Sequence, residues 1–127
     1  MDINELNSVM IKALPPSFTV ASHEIDGMLR EGYPLVAVLG TGSMRPHIPA
    51  GDGIVAWCMI ERCDIKLLSR GDLVVFRTKQ GNILDQLTQL TASGWITSGL
   101  HNSGYDSTRV TADNFVGRVV KTYIVKK

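Results

Sequence analysis

The chain has 127 residues, enough for one domain with one core, and its 44% apolar and 20% charged content excludes a disordered protein. A net charge of +1 gives no electrostatic footprint for nucleic acid or an anionic bilayer. Cys58 and Cys63 suit neither a zinc motif nor a disulfide framework, so they read as free thiols of a reducing, cytoplasmic compartment.

Residues 1–32 read as a helical lead-in and 33–127 as a β domain. Asp2 and Glu5 form a capping box for a short helix with Ile3, Leu6, Val9, Met10 and Ala13 on its apolar side. Pro15-Pro16 ends it. A second helix is predicted from Ser22 to near Gly32, with Ile25, Met28 and Leu29 facing inward. Met1–Glu5 lacks the basic start and apolar core of a secretory signal, and no stretch approaches the ~20 apolar residues of a membrane span. Neither a leader nor a membrane anchor is therefore expected.

Strand signals dominate from Tyr33 onward, at 34–40, 52–58, 72–78, 82–90, 94–98 and 115–125. Gly81-Asn82 and Ser93-Gly94 punctuate them, the first as a tight hairpin joining the strand of Phe76 to the strand of Asp85. Alternation sends Ile83, Asp85, Leu87 and Gln89 one way, and Leu84, Gln86, Thr88 and Leu90 the other. Neither set is cleanly apolar, so the direction in which Asp85 points stays open. The fold class expected is mainly β (α+β), with one or two short N-terminal helices.

Between the first two strands lies Gly40-Thr41-Gly42-Ser43-Met44-Arg45-Pro46-His47-Ile48-Pro49-Ala50-Gly51-Asp52. The glycines clear space beside Ser43, and the prolines set the exit path. Such a turn can present a hydroxyl with backbone N–H groups beside it, as an oxyanion site requires. On turn chemistry alone, an incidental serine in a Gly/Pro-rich loop is the simpler account.

The pattern Gly-x-Ser-Met-x-Pro, then Gly-Asp, recurs with a second run, Gly71-Asp72-Leu73-Val74-Val75-Phe76. Trp95-Ile96-Thr97-Ser98-Gly99, Asn102, Asp106 and the closing Val116-Gly117-Arg118-Val119-Val120 follow in order. Over about residues 28–121 this resembles the serine peptidases that include type I signal peptidases and the self-cleaving domain of LexA-type repressors. The resemblance implies a LexA/signal-peptidase-like β fold, Ser43 as nucleophile and the Ser43 and Met44 backbone N–H groups as oxyanion donors. It implies no metal or organic cofactor, and a polypeptide, or the chain itself, as substrate. Neither a DNA-reading module ahead of the β domain, for which residues 1–32 are too few and not basic enough, nor the membrane anchor of signal peptidases is expected.

The resemblance also implies a histidine or lysine base on the strand Ile83-Leu84-Asp85-Gln86-Leu87, where the matching residue is Asp85. A serine hydroxyl needs a neighbour to take its proton during attack. Histidine, or a lysine with lowered pKa, does so near neutral pH, whereas a carboxylate with an ordinary pKa of about 3.9 is a weak base. The chain is then a pseudo-peptidase, an inactivated variant of a histidine-bearing parent, or an enzyme whose base lies elsewhere. His101 is the best substitute, with Asp85 to orient it; His47 reads more simply as a loop residue. Asp106 matches the acidic residue that would steer a histidine, and without that histidine a turn role is simpler. Two functions stay open: a serine endopeptidase or self-cleaving protein, and an inactive peptide-binding or regulatory module. Oligomeric state is not legible.

Overall fold

The computed structural model describes residues 14–38, 54–98 and 108–126. Its elements are strand β1 (Ser17–Val20), helix α1 (Ser22–Arg30), strands β2 (Leu35–Val38) and β3 (Ile54–Glu61), and a short 3-10 turn at Ile65–Leu67. Strands β4 (Leu73–Thr78), β5 (Gly81–Thr91), β6 (Gly94–Ser98) and β7 (Phe115–Lys126) follow. The mainly β expectation holds, and each predicted strand has a counterpart. The first predicted helix lies outside the described residues.

Among the described residues, one sheet runs six strands in the order β2-β3-β7-β4-β5-β6, every neighbouring pair of these antiparallel. β1 joins it in parallel, pairing Ser17–Val20 with Thr122–Val125 of β7. The sequence reading did not foresee β1. Four residues after Pro15-Pro16 are too few to register as a strand, and β7 supplies the pairing.

Helix α1 begins where expected. The Glu24 carboxylate accepts from the Ala21 N–H at 2.8 Å, and the Glu24 N–H donates to the Ala21 carbonyl at 3.0 Å. Ile25 is buried and clusters with Leu35 and Val125, with Met28 packed against them. Leu29, expected to face inward, is exposed. Nine helical residues give a stripe only wide enough for Ile25 and Met28.

The sheet has a core on each face of β4. Val75, Leu73, Leu84, Val119, Ala56, Cys58, Ile60 and Val38 form one cluster. Val74, Phe76, Leu87 and Trp95, covered by Leu68 and Val110, form the other. Curling brings β2 to β5, where the Asn82 side-chain amide donates to the Ala37 carbonyl at 3.4 Å and Val38 shares a cluster with Leu84. Among the described residues no helix is long and apolar enough to cross a membrane.

The two tight hairpins follow one design. At the β4–β5 turn, Thr78 Oγ1 donates to the Gly81 carbonyl at 3.0 Å and accepts from the Gln80 N–H at 3.2 Å. At the β5–β6 turn, Thr91 Oγ1 donates to the Gly94 carbonyl at 2.7 Å and accepts from the Ser93 N–H at 3.2 Å. Gly81 and Gly94 take positive φ, 123° and 120°, which other residues reach only with strain. The predicted Gly81-Asn82 and Ser93-Gly94 breaks therefore fall at real turns.

Candidate functional site

Asp85 sits in mid-β5, opposite Val74 of β4. It shares a face with Leu87 and with the cluster of Val74, Phe76 and Trp95, so it points into the protein and is only 1% exposed. A buried carboxylate needs hydrogen-bond partners to offset lost hydration. Thr97 of β6 supplies one: its Oγ1 donates to Asp85 Oδ2 at 3.0 Å. Thr97 itself is fully buried.

A β-bulge creates this contact. β6 pairs Gln86 with Ser98 and Leu87 with Thr97, but beyond Thr88 the register changes to Gln89 with Ile96. Counting back from Thr91 opposite Gly94 without a bulge would set Thr88 opposite Thr97, and Thr97 would face away from Asp85. The extra residue turns Thr97 to the face of Asp85. Thr88 itself bonds locally, its Oγ1 donating to the Ile96 carbonyl at 2.9 Å. Strict alternation through Gln89 and Leu90 accordingly fails, and Leu90 is exposed.

Ser43, Met44, His47, His101 and Asp106 lie outside the described residues. The strands that lead to them are described. Val38, the last described residue before 39–53, pairs with Ala56 and packs in the cluster of Leu84, the chain neighbour of Asp85. Ser98, the last before 99–107, is opposite Gln86, the other chain neighbour of Asp85. After 99–107 the chain returns to β6, where Trp95 and Val110 exchange two backbone hydrogen bonds, at 2.9 and 3.0 Å.

The second Gly-Asp block and the closing Gly-Arg-Val block are neighbours. β4 and β7 pair Val75 with Gly117 and Val74 with Arg118. Asp72 Oδ2 accepts from the Ser69 N–H at 2.9 Å, fixing the turn into β4, and lies 3.9 Å from Arg118 Nη1. Arg118 also donates to Glu61 at 2.9 Å, and that hydrogen bond raises its already high pKa. A Cβ on Gly117 would come within 2.8 Å of the Ile60 side chain, so close packing requires glycine there. These two blocks do structural work.

Of the candidates, then, the described structure buries Asp85 and gives it a partner absent from the sequence reading, Thr97. Both cysteines are free, Cys58 buried and Cys63 partly so. Searches of the chain against protein-family models, curated proteins and solved structures find no match.

Proposed function

We propose that this chain is a peptidase-lineage protein of the signal-peptidase/LexA type, with Ser43 in the nucleophile position, that binds polypeptide and hydrolyses it weakly or not at all. The LexA/signal-peptidase-like fold is part of that proposal. The observation that carries it is the state of position 85. Asp85 is buried on β5, and its Oδ2 already accepts the Thr97 hydroxyl. A carboxylate is a far weaker acceptor for a serine proton than a neutral imidazole or a free amine, and a protonated one is no base at all. Without a competent base the oxyanion donors and the peptide-binding edge can still hold a chain in extended form.

A second reading keeps the enzyme active with His101 as base and Asp85 behind it. What supports it is that Ser98, the last described residue of β6, pairs with Gln86, the chain neighbour of Asp85, and that His101 follows Ser98 by three residues in the sequence. Incubation with a serine-reactive phosphonate, followed by intact mass, separates the two. The binder is expected to stay unlabelled from mildly acidic to alkaline pH. An adduct that vanishes in both Ser43→Ala and His101→Ala would replace it with the active enzyme.

A further inference from the structure

On the face that buries Asp85, at Trp95, two residues before Thr97 on β6, the cluster opens into a groove of about 390 Å3. Its floor is Leu68, Trp95 and Val110, all buried, and its walls include Ile65 and Leu90. Leu90 is 63% exposed, and Leu67, between two lining residues, is 67% exposed. The volume is that of a small-molecule site, and apolar walls with few polar groups are the usual lining of one. Among the described residues that line it, Lys66 is the one that is charged, and none is acidic. The nearby Asp64 carboxylate accepts from the Lys66 backbone N–H at 2.9 Å. Among the described residues no carboxylate pairs with the Lys66 ammonium. Among the described residues, the groove thus combines an apolar trough with a lining lysine that has no carboxylate partner.

We propose that this groove binds a single-chain apolar carboxylate, with hydrocarbon on Leu68, Trp95 and Val110 and the carboxylate on Lys66. Burying the chain removes apolar surface from water on both partners, and the charge at one end sets its direction. A longer ligand would extend past the rim over Leu90. This site is independent of any reaction at Ser43, so its test does not depend on peptidase activity.

The probe is decanoate, kept below its micelle concentration and titrated into the 15N-labelled full chain, with decyltrimethylammonium as the charge-reversed control. Decanoate is expected to shift the Trp95 indole and the Ser93 and Gly94 amides saturably at one equivalent. Lys66→Gln should weaken decanoate about threefold, the scale of an exposed charge pair, and should not weaken the cation, which loses a repulsion. Ala92→Trp, which fills the groove from the hairpin, should abolish the shifts; Ser93→Trp serves if that variant does not fold. Absence of saturation at millimolar decanoate would overturn the site. So would equal binding of the two probes, or shifts that survive a folded groove-filling variant.

Discussion

The Thr97 hydroxyl donates to the Asp85 carboxylate at 3.0 Å across the β5–β6 pair, at a point where neither side chain meets solvent. A buried carboxylate stripped of one donor keeps its desolvation cost. Thr97→Val preserves shape and removes only the hydroxyl, so it should destabilise the fold by about 1.5–3 kcal/mol. Thr97→Ser should recover most of that loss. The urea midpoint measures both, and a Thr97→Val midpoint equal to wild type would show the bond to be energetically idle.

Gly81 and Gly94 separate two effects that usually travel together. Both carry φ near +120°, so alanine at either adds similar backbone strain. A Cβ at Gly81 meets nothing within 4 Å, whereas at Gly94 it would approach the Val110 carbonyl oxygen to 2.6 Å. Gly94→Ala should therefore cost about 1–3 kcal/mol more than Gly81→Ala, the scale of an overpacked site. Equal urea midpoints for the two variants would mean that the Trp95–Val110 bridge yields without cost.

The contrast between these turns and Asp85 shows what the sequence could disclose. Gly81 and Gly94 are local signals, so the hairpin at Gly81-Asn82, the break at Ser93-Gly94 and the strands around them were legible. The environment of Asp85 was not, because it depends on a bulge at Thr88. That bulge changes which face Thr97 occupies, and no residue type near Thr88 announces it. β1 was hidden for a similar reason: its pairing partner, β7, lies about a hundred residues away. Ser43 stood out through its glycines and prolines, yet that local signal carries no information on the distance to a base.

The cysteines should differ sharply in reactivity. Burial pushes the Cys58 thiol up to about 12 from an ordinary 9.0, against a smaller opposing pull from its hydrogen bond with Thr122. Cys63 is partly accessible. In native protein at pH 8, a thiol reagent should label Cys63 within minutes and Cys58 only after unfolding. Prompt loss of both thiols would show that the β3–β7 pair opens on that timescale.

The same shift gives stability a pH dependence. Cys58 binds its proton more tightly folded than unfolded, so unfolding releases a proton once pH exceeds the unfolded value. Its contribution is whole below pH 9.0 and is lost as pH rises towards about 12. Within that window the loss is about 1.4 kcal/mol per pH unit. Urea midpoints from pH 8 to 10.5 should fall more steeply for wild type than for Cys58→Ala. Parallel slopes would place the alkaline transition on lysines and tyrosines instead.

Replacing Asp85 tests the base position directly. Histidine there would keep a hydrogen-bonding group beside Thr97 while supplying an acceptor of ordinary pKa about 6.5. If position 85 faces Ser43, Asp85→His should gain a phosphonate adduct that rises as the imidazole becomes neutral and disappears with Ser43→Ala. Burial disfavours the charged imidazolium, so the rise should fall at or below pH 6.5 rather than above it. Asp85→Lys, which needs a stronger burial effect to expose a free amine near neutrality, should react only at higher pH. The folded state of each variant is checked by its urea transition, because a buried carboxylate with a hydroxyl donor is being removed. If both variants fold and neither labels at any pH, position 85 is not aimed at the serine, and a base for Ser43 has to be sought among residues such as His101.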